Sequence, residues 1–146
     1  MNNSLPTVKS IVLYADDDQE DLELVQDAFS RYSKNVQLIQ CCDGLEALSY
    51  LNNIPESEPM PSLIILDINM PKMNGKEVLQ QIRELDRFKK TPVVMFTTSS
   101  MQSEISFAEQ YNAGFITKPS DQRQMEVIIK NFIDHCTEDV KKQITR

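Results

Sequence analysis

One histidine, three glycines and three cysteines are all that 146 residues contain of those types, and each scarcity closes off a kind of chemistry. His135 has no partner near it in sequence, which argues against a nucleophilic triad and against a His-rich metal site. Gly44, Gly75 and Gly114 are too far apart to form the glycine-rich loops that cradle nucleotide phosphates. Cys41, Cys42 and Cys136 give neither a disulfide framework nor zinc-ligand spacing, and they read as buried thiols. No apolar run approaches the ~20 residues that span a bilayer, and the opening MNNSLPTVKS lacks a signal-peptide core, so a cytoplasmic location is expected. Fifteen Lys and Arg lie scattered among 22 Asp and Glu, for a net charge of -7. Without a basic stripe, neither nucleic acid nor membrane is an expected partner. An acidic chain does suit divalent cations.

What is present is ordinary globular material, 40% hydrophobic and 25% charged, at the length of one domain. Short apolar runs alternate with amphipathic stretches. The runs Ile11 to Ala15, Val36 to Cys42, Leu63 to Leu66, Val93 to Phe96 and Phe115 to Thr117 read as five strands. Leu22, Val25, Phe29 and Tyr32 recur at helical spacing, as do Val78, Leu79, Ile82 and Leu85, and Met125, Ile128, Ile129 and Phe132. Leu45, Leu48 and Leu51 mark a further helix, and Met101, Ile105 and Ala108 another. With right-handed crossovers this is an α/β fold, a doubly wound five-stranded parallel sheet with helices on both faces. Ile54 to Pro61, with three prolines, is expected as an exposed loop, and TEDVKKQITR either extends the last helix or frays.

In a parallel sheet the strand ends meet on one edge. The first strand stops at Asp16, Asp17 and Asp18, the third at Asp67, the fourth at Thr97 and Thr98, the fifth at Lys118 and Pro119. Clustered carboxylates repel one another unless a cation holds them, and a hard divalent ion such as magnesium suits an open, all-oxygen corner. Lys118 and the Thr97 hydroxyl can both reach a phosphoryl oxygen. Acid, metal, ammonium and hydroxyl together are what phosphoryl transfer to a carboxylate requires.

The segments ADDD, LDINMPKMNG, TTSS and TKP, in this order at strand ends, closely resemble the receiver domain of bacterial two-component response regulators. The likeness runs over 10–134, the expected receiver domain of flavodoxin-like fold, leaving 1–9 as an N-terminal extension and 135–146 as a C-terminal tail. It is similar in particular to single-domain receivers of the chemotaxis type and to those that partner phytochrome-type kinases. The resemblance implies that Asp67 is the phosphoacceptor, that Asp16 and Asp17 bind Mg2+ with Asp67, and that the backbone carbonyl of Asn69 completes the metal site. It further implies that Thr97 and Phe115 are the switch residues, that Lys118 is the family's invariant lysine and catalytic with Asp67 and Thr97, and that Asn69 and Thr98 tune the lifetime of the phosphoryl group. The implied activity is confined to the protein's own phosphorylation and dephosphorylation. A sensor histidine kinase or phosphotransfer protein is the implied donor, and a downstream protein or a second copy in a homodimer the implied reader. A chain that ends 28 residues after Lys118 leaves room for one helix and a tail, so output by protein contact is expected.

Taken singly, these residues have plainer readings. Asp18 reads as a helix cap, Met70, Met73 and Met95 as packing, and Phe115 alone as core. Pro119 restricts its loop, and the sequence does not decide whether its bond is cis. Two further readings are a degenerate receiver that binds partners without phosphorylation, and a phosphohydrolase of the haloacid dehalogenase type. The second needs an Asp two residues past its nucleophile, where this chain has Asn69.

Overall fold

Unbroken apolar runs make the centre of the sheet, and the amphipathic stretches cover its two faces. The computed structural model describes residues 9–145. Its strands are β1 (Ser10–Ala15), β2 (Val36–Cys41), β3 (Leu63–Leu66), β4 (Val93–Thr97) and β5 (Gly114–Thr117). Its helices are α1 (Gln19–Tyr32), α2 (Gly44–Asn52), α3 (Gly75–Glu84), α4 (Gln102–Gln110), α5 (Met125–Asp134) and α6 (Glu138–Ile144). All strand pairs are parallel, in the order β2-β1-β3-β4-β5. The apolar β3, and β4, which turns polar only at its last residue Thr97, are buried throughout, whereas β2 and β5, with mixed patterns, form the edges.

Strand alternation divides the core. Val12, Tyr14, Ile65, Val94 and Phe96 pack beneath α1 and α5 with Phe29 and Phe132. Leu13, Ala15, Ile64, Leu66 and Met95 pack beneath α2, α3 and α4. The chain moves from β1 outward to β2, then returns to build the sheet on the other side from β3. The carboxyl ends of β1 and β3 therefore flank the point where the strand order reverses, which is where open α/β sheets bind ligands.

Three expectations need correction or completion. The segment after α5 neither extends it nor frays: Thr137 caps a separate helix, α6, whose Ile144 is buried in the α1/α5 layer. The Ser33 hydroxyl donates to the Ile144 carbonyl at 2.6 Å and Asn35 Nδ2 to the Gln143 carbonyl at 2.9 Å. Of the three thiols, Cys41 and Cys136 are buried, and burial pushes them up to about 12 and about 11, whereas Cys42 is exposed at the end of an edge strand. The loop after α2 is exposed from Pro55 to Met60, but its ends, Ile54 and Pro61, are buried, and Arg87 Nη1 donates to the Ile54 carbonyl at 2.6 Å. The expected N-terminal extension lies, but for Lys9, outside the described residues. No helix among the described residues is long and apolar enough to cross a membrane.

Candidate functional site

Register brings the first acids together. Ala15 pairs with Leu66, and the amide of Asp67 donates to the Ala15 carbonyl at 3.0 Å, so Asp16 and Asp67 leave the sheet side by side. Carboxylate oxygens of Asp16, Asp17 and Asp67 lie within 4.8 Å of one another. Asp16 is fully buried and Asp67 nearly so, while Asp17 faces solvent. Asp18 is the α1 cap, accepting from the amides of Glu20 and Asp21.

Asp16 is held from three directions. The Tyr14 hydroxyl donates to its Oδ2 at 2.5 Å, the Asp18 amide to its Oδ1 at 2.9 Å, and Lys118 Nζ to its Oδ2 at 2.7 Å. Lys118 also donates to Asp21 Oδ2 at 2.8 Å and stands 3.5 Å from Asp67 Oδ2. Burial works against the Lys118 charge, but its hydrogen bonds to Asp16 and Asp21 and the charges of Asp16 and Asp67 overcome this and raise its pKa. The Tyr14 phenol is likewise raised, by burial first and then by Asp16. Burial, reinforced by the Asp16 charge and only partly offset by Lys118, pushes the Asp67 carboxyl up to about 7.

The remaining predicted residues lie on or just past β3, β4 and β5. Thr97 is fully buried at the end of β4, and its carbonyl accepts from the Lys118 amide at 2.7 Å. By strand alternation Thr97 follows Met95, which pairs in register with Phe115, and Phe115 is half-buried against the same α2–α4 layer. Thr98 and Asn69 are exposed. The Lys118–Pro119 bond is trans, as no peptide bond among the described residues is cis.

The loop after β3 is tightly made. Gly75 opens α3 so close to the site that a Cβ there would lie 2.1 Å from the Asp67 carbonyl oxygen, and one on Gly44 would lie 2.1 Å from the Met73 carbonyl oxygen. Lys72 adopts a left-handed φ of 65° and pairs with Asp43 at 3.5 Å. Asn74 and Glu77 close a capping box on α3.

Two participants were not singled out from the sequence. Tyr14 sits inside an apolar run, where its hydroxyl gives no periodic signal. Asp21 reads as one of the acids that a helix start favours anyway. Its only distinguishing sign is its place one helical turn beyond Asp17, on the element that begins at the acid cluster.

The donor set is made only of carboxylate oxygens, which matches a hard divalent cation, and the raised Asp67 marks two acids that a cation would relieve. Response regulator Rcp1 of Synechocystis sp. is 32% identical over 118 residues, spanning 79% of this chain and 80% of that protein. The phosphorylated cyanobacterial phytochrome response regulator RcpA superposes with a TM-score of 0.79 at 28% identity, covering 89% of this chain and 98% of that one. The Mn2+-bound form of response regulator Rcp1 superposes with a TM-score of 0.75 at 30% identity, covering 84% and 90%. With the response regulator receiver domain matching residues 12–130, across all four strand-end segments, the chain belongs to the response regulator receiver family of two-component signalling.

Proposed function

We propose that this protein accepts a phosphoryl group on Asp67 from a histidine kinase or phosphotransfer protein, in a magnesium-dependent reaction, and signals through a conformational switch. The observation that carries the reading is the convergence of Asp16, Asp17 and Asp67 within 4.8 Å, with Lys118 reaching toward the same oxygens. Asp16, Asp17 and Asp67, with the Asn69 backbone carbonyl, would hold the ion. When bound, Mg2+ would neutralise the acids and offset the charge of the incoming phosphoryl oxygens.

The chain's own groups do the positioning. An ionised Asp67 oxygen forms the bond to phosphorus as the P–N bond of the donor phosphohistidine breaks and the imidazole leaves. Asp67 needs no proton acceptor for this once its carboxyl is ionised. Lys118 donates to a phosphoryl oxygen, and the Thr97 hydroxyl donates to another. Asp16, fixed by Tyr14, the Asp18 amide and Lys118, does not have to reorganise. The same groups serve hydrolysis of the aspartyl phosphate, so any catalysis is on the protein itself.

The switch reading rests on the placement of Thr97 and Phe115 on one face. Movement of the Thr97 hydroxyl toward a phosphoryl group would leave room behind it for Phe115, which is only half-buried, and would shift the populations of two surface states. The similarity to RcpA supports a phytochrome-type or hybrid histidine kinase as donor.

Incubation with acetyl phosphate, with and without Mg2+, tests the reading by intact mass. Gain of one phosphoryl group by the wild type with Mg2+, its absence with chelator and its absence in Asp67→Asn are expected. Labelling that persists unchanged in Asp67→Asn would overturn the assignment. No labelling of a folded wild type would favour a phosphorylation-independent binding module.

A further inference from the structure

Lys118 and a divalent cation need the same oxygens. The ammonium bonds Asp16 at 2.7 Å and lies 3.5 Å from Asp67, and both acids belong to the three-carboxylate cluster. Lys118 already forms a long ion pair with Asp67 at 3.5 Å, and a closer approach would compete with a cation for the Asp67 carboxylate. Something has to hold it back without removing it, because it must later reach a phosphoryl oxygen.

Asp21 is placed to do this. It lies outside the three-acid cluster, on the first turn of α1, where the Asp18 side chain fixes its amide at 3.2 Å. Its Oδ2 accepts from Lys118 at 2.8 Å, so two of the three ammonium protons are committed to Asp16 and Asp21. This is no loose surface pair: the Lys118 side chain is 9% exposed and that of Asp21 29%. Beside the lysine a cavity of about 30 Å³, lined by Asp21, Leu24, Phe96, Pro119 and Met125, leaves room for about one water. The Asp21 carboxylate holds the ammonium on this side of the acid cluster.

We propose that Asp21 is a positioning residue that keeps the Lys118–Asp67 ion pair long, leaving the acid cluster open to the divalent ion. The inference rests on the reading of Asp16, Asp17 and Asp67 as the metal acids. Its consequence is that Asp21, without being a ligand, governs metal affinity, and does so through Lys118.

Binding of Mn2+ to the intact protein, followed by the electron paramagnetic resonance signal of the free ion and repeated with Mg2+ as competitor, tests it. Asp21→Asn should weaken binding by about tenfold, the scale of groups that orient a metal's surroundings. Glu20→Gln removes the same charge from the same turn without touching Lys118 and should leave the affinity unchanged. In a Lys118→Met background the Asp21 substitution should have no further effect. Equal binding by Asp21→Asn and wild type, equal weakening by Glu20→Gln, or an undiminished Asp21 effect without Lys118 would each overturn the proposal. Should Lys118→Met fail to fold, the comparison of Asp21→Asn with Glu20→Gln still decides. Failure of the underlying site looks different: wild type would not bind the ion, or Asp17→Asn would bind as well as wild type.

Discussion

Gly75, the first residue of α3, rests against the backbone of Asp67, with 2.1 Å between the place of a Cβ and the Asp67 carbonyl oxygen. Both atoms belong to rigid backbone, so neither can turn aside. Gly75→Ala should therefore displace either α3 or Asp67, costing about 1–3 kcal/mol by overpacking. Urea denaturation should show the loss, and phosphorylation by acetyl phosphate should slow more than in Gly114→Ala. There the added Cβ would meet the side chain of His135, which can move.

The metal-free protein should lose stability as the pH rises. Asp67 is pushed up to about 7 by burial and by Asp16, above the roughly 3.9 of an unfolded Asp. Between these values the folded state holds a proton that the unfolded state has released, so stability falls with increasing pH. The contribution is fully present below about pH 4 and is lost as the pH passes about 7. Asp67→Asn should abolish this dependence and be the more stable protein at pH 8 by about 1–3 kcal/mol. Urea curves in chelator at pH 5 and pH 8 measure it, and parallel behaviour of the two proteins would refute it.

Thr98, exposed beside the buried Thr97, sets a further expectation. Water must approach the aspartyl phosphate in line, and a stiff, β-branched side chain next to that approach obstructs it. Asn69 could orient the same water, but an orienting hydrogen bond is worth only about 1 kcal/mol. Thr98→Ala should shorten the phosphoryl lifetime several-fold with metal affinity unchanged. Dephosphorylation at saturating Mg2+ decides, and a lifetime as long as wild type would mean that Thr98 does not gate the water.

The last helix should matter for stability beyond its length. Ile144 is buried in the α1/α5 layer, and its carbonyl accepts from Ser33 at 2.6 Å. Ile144→Ala should cost about 2–4 kcal/mol, as other buried Ile truncations do. Ser33→Ala should cost about 1–3 kcal/mol, because it loses both the bond to the Ile144 carbonyl and the one its hydroxyl accepts from the Asn35 amide at 3.0 Å. Values near zero in urea denaturation would show that α6 is a passive appendage.

The strands were legible because they are buried on both sides: Ile11 to Ala15, Leu63 to Leu66 and Val93 to Phe96 have no polar interruption to obscure them. Their ends were legible for the same reason, since Asp16, Asp67 and Thr97 are the first polar residues after the runs. What escaped notice are groups whose local role hides their distant one. Asp21 satisfies a helix start and Tyr14 a hydrophobic core, and neither reveals from sequence that its oxygen meets Lys118 or Asp16. Helix α6 escaped because its buried side consists of little more than Val140 and Ile144 amid polar residues. Their four-residue spacing behind Thr137 was the available sign.

Arg83 on α3 ends in a fan of donors: to the carbonyls of Tyr111 at 2.7 Å and Asn112 at 3.1 Å, just past α4, and to those of Phe88 and Thr91, each at 2.8 Å. The far end of α4 is thus riveted to the body of the protein. Its near end starts at Met101, whose side chain gives no cap, and is linked to the β4 loop by the bond of Ser99 to Glu104. A beam fixed at one end moves by rotation, and its displacement grows with distance from the rivet. For nine residues, about 13 Å of helix, a tilt of roughly ten degrees carries the near end about 2 Å. A small adjustment beside Thr97 would thus be taken up as a rotation of α4 about Arg83, spread over the whole exposed length of the helix and largest at the end nearest the acids.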